Sequence, residues 1–148
     1  MTAFNLREEF VEKMGLIFQA DGMPRIAGRI LGLLVFEGRA FSFAELAETL
    51  GVSRGSISTN ARILSDKGMI ERVGMPADRQ DYYQFTEESF ESILRNISEG
   101  LLKTSAEVRK FSQRVDDDEA LTKRLNRFAE FHDAVAAGVQ NADKYLAK

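Results

Sequence analysis

Between Ser42 and Gly68 the chain carries two short helical patterns joined by a single glycine, and that spacing constrains the fold more than any other feature. Ser42-Phe43-Ala44-Glu45 has the form of a capping box, and Phe43, Leu46, Ala47 and Leu50 supply an apolar stripe that Gly51 ends. Ser53 is placed to cap the next helix, whose inward positions are Ile57, Ala61 and Leu64. Arg54, Gly55, Ser58, Thr59 and Arg62 then fall on the outer side, and Gly68 closes the element. Two strand-like runs follow, Met69 to Val73 and Tyr82 to Phe85. The residues between them, Gly74 to Asp81, are rich in turn formers and predict a hairpin with a long tip.

The flanking segments are also helical in pattern. Asn5-x-x-Glu8 resembles a capping box, and Leu6, Phe10, Met14 and Ile17 continue at helical spacing to about Ala20. Pro24 suits the first turn of a second helix that runs through Ile26, Ile30, Leu33 and Leu34 to a stop at Gly38. That helix is apolar almost all round and should be buried. Gly28 and Gly32, four apart, each cost roughly 0.5–1 kcal/mol against alanine, so another backbone is expected to come close there. From Glu87 the pattern changes to heptads: Phe90, Leu94, Ile97, Leu101, Thr104, Val108, Phe111 and Val115, then Leu121, Leu125, Phe128, His132, Val135, Val139, Ala142 and Leu146. Two long helices with a narrow seam each are expected, with Asp116 to Glu119 starting the second.

Composition excludes several chemistries. There is no cysteine and only one histidine in 148 residues, which removes disulfides, thiolate nucleophiles and most zinc sites, so neither a metal nor another cofactor is expected. No apolar run is long enough for a signal peptide or a membrane span, and a cytoplasmic protein is expected. The net charge of -3 argues against a partner held by bulk electrostatics alone, but the charge is unevenly spread. Residues 24–86 carry 8 basic against 7 acidic groups, whereas residues 1–23 and 87–148 are both net acidic. Within the middle segment, Ser53 to Leu64 holds Arg54 and Arg62 and no acid.

Helix, glycine turn, helix with a small-polar and arginine face, then a hairpin: this order is that of a winged helix-turn-helix. The sequence resembles the MarR family, in particular its GbsR-type branch. The likeness lies in Met23-Pro24-Arg25-Ile26-Ala27-Gly28-Arg29-Ile30-Leu31-Gly32-Leu33-Leu34, in Leu50-Gly51-Val52-Ser53-Arg54-Gly55-Ser56-Ile57-Ser58-Thr59-Asn60 and in Asp78-Arg79-Gln80-Asp81-Tyr82-Tyr83. It covers roughly residues 4 to 115. The resemblance implies a mainly α fold with a two-stranded wing and long dimerisation helices, and a homodimeric transcriptional regulator that reads double-stranded DNA at a pseudo-palindromic operator. It implies no enzymatic activity. Residues 1–23 would form an N-terminal dimerisation helix, 24–86 the DNA-binding region and 87–148 the C-terminal dimerisation helices.

The DNA-binding set expected on this basis is Ser53, Arg54, Gly55, Ser56, Ser58, Thr59, Asn60, Arg62 and Arg79. Their hydroxyls, amide and guanidinium groups suit phosphates and base edges, and Gly55 lets the helix start approach a backbone closely. One departure stands out: the usual Asp-x-Arg of the wing is Asp78-Arg79-Gln80 here. Arg79 is then the remaining cation at the tip, unless it pairs with Asp78 or Asp81. The alternative use of the same fold is a protein-interaction module, with the Ser53 to Arg62 face meeting a protein.

Other motifs are weaker. Gly51-Val52-Ser53-Arg54-Gly55 fits G-x-S-x-G, and Ser53, Asp116 and His132 stand in the order of a hydrolase triad, but a helix and not a strand precedes Ser53. His132, in the heptad seam, reads as a partly buried side chain bonded to a neighbour. Phe18, Phe111 and Phe128 could line a cavity for a small organic effector, held by aromatic faces.

Overall fold

The structure, a computed structural model, describes residues 2–146, which form two compact units that divide between Phe90 and Glu91. It is mainly helical, as expected, and among the described residues no helix is long and apolar enough to cross a membrane.

The first unit opens with α1, Ala3–Ala20, and α2, Arg25–Glu37. The cap of α1 differs from the expected one: Thr2 takes it, its Oγ1 accepting from the Asn5 backbone N at 3.2 Å. Thr2 offers cap chemistry one turn earlier than Asn5, and no glycine or proline lies between them to stop the helix extending back. Helix α2 follows Pro24 and ends at Gly38 in the left-handed conformation, φ 66°. Ala27, Ile30, Leu33 and Leu34 are fully buried. The two glycines do mark a close approach: a Cβ on Gly28 would strike the Met14 carbonyl oxygen and come within 2.8 Å of the Phe18 Cβ, and one on Gly32 would lie 3.1 Å from the Met14 Cβ. An ionic clamp reinforces this packing, with Glu12 accepting from both Arg25 and Arg29 at 2.9 Å.

Next come β1 (Phe41–Ser42), α3 (Phe43–Leu50), α4 (Arg54–Asp66), β2 (Glu71–Gly74) and β3 (Asp81–Gln84). Both bonds of the Ser42–Glu45 capping box are made, and Gly51 turns the chain at φ 66°. The expected two-stranded wing is β2 with β3, and β1 adds a third antiparallel strand, in the order β1-β3-β2. A two-residue strand is too short to leave an alternation in the sequence. It pairs Ser42 with Tyr82, while β2 pairs Val73 with the same residue. Leu46, Ile57, Ala61 and Leu64 join the α2 residues in one core, with Tyr83 edge-on to Phe43 at 5.3 Å between ring centroids.

Helix α5 spans Glu87–Ser112 and α6 spans Glu119–Leu146. Asp118 caps α6, its Oδ1 accepting from the Leu121 N at 2.9 Å, so the acidic run starts a helix as expected. In the second unit the two helices run antiparallel, joined by Arg109 to Asp133 at 2.6 Å and by Ser112 to Asn126. The seam between them departs from the expected heptads. Leu94, Leu101 and Val108 are half-buried as foreseen, but their neighbours in the seam are Ser98, Ser105 and Ser112, all buried, opposite the buried Ala129 and Ala136. Ile97, Phe111, Phe128 and Val135 remain exposed, Phe111 by 59% and Phe128 by 54%. The serine and alanine edge is thus the buried one, and the large apolar edge is left outside.

Candidate nucleic-acid interface

Helix α4 is set by its inward side. Ile57, Ala61 and Leu64 are fully buried, which fixes the rotation of the helix and turns Arg54, Gly55, Thr59 and Arg62 to solvent, with Ser58 half-buried. Ser53 caps the helix through its Oγ, which accepts from the Ser56 N at 3.1 Å and donates to the Ser56 Oγ at 3.1 Å. The Ile57 N bonds back to the Ser53 carbonyl, leaving the first N–H groups of α4 directed outward at a positive helix end.

Two members of the expected set sit differently from the rest. Asn60 is buried, with its Nδ2 donating to the Ser56 carbonyl at 2.8 Å, because its position lies one residue from Ala61 on the core-facing side. Ser56 is half-buried and engaged with Ser53. The exposed face is therefore Ser53, Arg54, Gly55, Thr59 and Arg62, with Ser58 at its edge. Gly55 has no internal reason to be glycine. The nearest atom to a Cβ built there is the Ser53 Oγ at 3.9 Å, so the side chain is absent where the protein itself has room for one.

At the wing, Arg79 is exposed and Gln80 holds the place of a second arginine. Asp78 does not pair with Arg79. Its Oδ1 accepts from the Gln80 N at 2.9 Å and its Oδ2 from the Tyr82 hydroxyl at 2.7 Å, and these bonds hold the carboxyl below its ordinary range while raising the Tyr82 phenol. Asp81 faces Arg72 at 3.8 Å. Asp78 and Tyr82 do not stand out as a pair in the sequence. Their spacing of four in a loop carries no periodic signal, although Asp two residues before a free N–H is the pattern of an Asx-turn.

The electrostatics of the first unit divide its arginines cleanly. Arg7, Arg25, Arg29, Arg39 and Arg72 all meet carboxylates within 4 Å. Arg54, Arg62 and Arg79 have no carboxylate partner among the described residues, and these three lie on α4 and the wing. Burial raises the Tyr83 phenol, and the nearby positive charge of Arg62 works in the opposite direction. No group of acidic or histidine side chains among the described residues is arranged to hold a metal ion.

Comparison with known proteins bears on this geometry. The MarR family model matches residues 21–81, from the end of α1 to the start of β3. A solved structure described as a transcriptional regulator superposes with a TM-score of 0.85 and 30% identity, over 94% of this chain and 97% of that one. The chain belongs to the MarR family. Among curated relatives, the HTH-type transcriptional regulator MmpR5 of Mycobacterium tuberculosis is 46% identical over 83 residues, 55% of this chain and 50% of that protein. The HTH-type transcriptional repressor OpcR of Bacillus subtilis is 25% identical over 120 residues, 81% of this chain and 60% of that protein. The chain thus spans about half to three-fifths of the length of these two relatives.

Proposed function

We propose that this MarR-family chain is a cytoplasmic, sequence-specific DNA-binding transcriptional regulator of the GbsR-like branch. It places α4 in the major groove and Arg79 over the backbone or minor groove of a pseudo-palindromic operator, and it is not an enzyme. The observation that carries the reading is the division of the arginines: those of the first unit that lack a carboxylate are on the two elements that would meet DNA. Unpaired guanidinium groups on a fixed helix face suit phosphate and guanine, and nothing internal competes for them.

The reading includes a homodimer, with residues 24–86 as the DNA-binding region and residues 1–23 and 87–148 serving dimerisation. The exposed apolar edge of α5 and α6 supports it, since a stripe with Phe111, Phe128 and Val135 in water favours association.

A small organic effector acting through aromatic contacts belongs to the same reading. Of the three phenylalanines considered for it, Phe18 is buried in the first unit's core, whereas Phe111 and Phe128 are accessible on the second. Selection of bound fragments from a random duplex pool tests the function. A recovered inverted repeat, bound with a steep salt dependence, supports it; salt-insensitive binding to a protein, with no sequence recovered from the pool, overturns it.

A further inference from the structure

We propose that Tyr82 is a positioning residue for DNA contact: through the Asp78 carboxylate its hydroxyl holds the wing tip so that Arg79 is presented outward and unpaired. The inference rests on the DNA-binding reading above and concerns how the wing is aimed.

Tyr82 is a fixed post. It lies on β3, the central strand of the sheet, with Val73 of β2 opposite it on one side and Ser42 of β1 on the other. The tip it faces has no such ladder. Residues 75–80 turn through Met75-Pro76-Ala77-Asp78, with the Asp78 N donating to the Met75 carbonyl at 3.2 Å and Ala77 at φ 63°, a left-handed conformation that costs an alanine free energy. Something must hold the tip in that shape. The Asp78 carboxylate does so by accepting from the Tyr82 hydroxyl at 2.7 Å and from the Gln80 N at 2.9 Å, which brackets Arg79 between two restrained neighbours.

The same bonds decide where the arginine goes. A carboxylate one residue away would ordinarily compete for a guanidinium, but both oxygens of Asp78 already accept hydrogen bonds and Asp81 faces Arg72. Glutamine at position 80 adds no second cation, so the wing tip has one cation to place and its placement carries the contact. A tip already ordered before binding loses less entropy on meeting DNA.

The experiment is a double-mutant cycle on an operator fragment recovered from the random pool, using Tyr82→Phe, Arg79→Ala and the double variant. Tyr82→Phe removes one hydroxyl and no charge. It should weaken binding by about 3- to 10-fold, the range of a single hydrogen bond, and leave the slope of affinity against salt unchanged. In the Arg79→Ala background the same change should have no further effect. A merely structural tyrosine would weaken both backgrounds equally. Equal losses, or a Tyr82→Phe protein that binds like wild type, overturn the inference while leaving DNA binding intact. A second readout needs no DNA: amide exchange at Gln80 should quicken in Tyr82→Phe, and an unchanged rate also overturns it. Failure of the wild type to bind any duplex sinks the underlying reading instead.

Discussion

Gly28 on α2 lies so close to the Met14 carbonyl oxygen of α1 that no side chain fits between them. The contrast is Gly55 on α4, around which a Cβ would meet nothing nearer than 3.9 Å. Both are helical glycines, and replacement by alanine favours the helix by about 0.5–1 kcal/mol in either place. At Gly28 overpacking outweighs that gain, and Gly28→Ala should destabilise the fold by about 1–3 kcal/mol. Gly55→Ala should stabilise it slightly and weaken DNA binding, because the added methyl group stands where a phosphate would approach. Denaturant unfolding beside DNA titration separates the two effects. A Gly55→Ala protein that loses stability would show that an unseen internal contact requires the glycine.

Arg62→Ala should weaken operator binding by about 1–3 kcal/mol and relax preference at one base pair of each half-site, if the guanidinium reads a guanine. Its exposure and lack of a carboxylate partner leave it free to do so. Uniform loss across all sequences, with the salt slope reduced by about one, would assign it to a phosphate. Unchanged binding would return it to a solvated surface.

The helix-turn-helix was legible because its signals are local. The Ser42–Glu45 capping box, the Ser53 cap, the glycine stops and an inward triplet at 57, 61 and 64 depend on residues within one or two turns, and these hold in the structure. The wing's organisation was not, since the Asp78–Tyr82 bond depends on how a loop folds back over a strand. The long helices show a third case. Periodicity located the apolar stripe correctly but could not say which edge the neighbouring helix would take. Serine counts as polar in such a pattern, yet Ser98, Ser105 and Ser112 are the residues buried. The burial of Asn60, expected among the DNA-binding residues, was not legible for a related reason, because a polar side chain next to Ala61 can bond to its own helix and stay inside.

Acid should loosen the packing of α1 on α2. Hydrogen bonding from Arg25, with the nearby charge of Arg29, holds the Glu12 carboxyl below its ordinary value near 4.5. A carboxyl whose folded value is depressed stabilises the fold fully above its unfolded value and loses that contribution as pH falls through the folded one. Stability should therefore decline below about pH 4.5, and Glu12→Gln should flatten part of that decline. Because Glu12 is partly exposed, the effect should also shrink in high salt. Chemical denaturation at several pH values measures it, and parallel curves for wild type and Glu12→Gln would exclude the clamp as a contributor.

The hairpin geometry also decides which substitution tests the dimer. Leu125 lies half-buried on α6 near Asn126, whose side chain bonds to Ser112, so Leu125→Asp would disturb the α5–α6 contact itself. Phe128 is the sharper probe, being more than half exposed on the free edge of the same helix. Its ring does have one local duty, stacking edge-on against His132, whose Nδ1 lies 2.9 Å from the Phe128 carbonyl, and that backbone contact survives any side chain at 128. Phe128→Asp should leave helix content nearly unchanged, since the residue contributes little to the folded unit by itself. In a dimer it would place a carboxylate in an apolar contact, where an unpaired charge is strongly unfavourable. Sedimentation at micromolar concentration should therefore give a dimer for wild type and a monomer for Phe128→Asp, with matching circular dichroism. A wild-type monomer would remove the homodimer from the proposed function, and a dimeric Phe128→Asp protein would move the interface to another face.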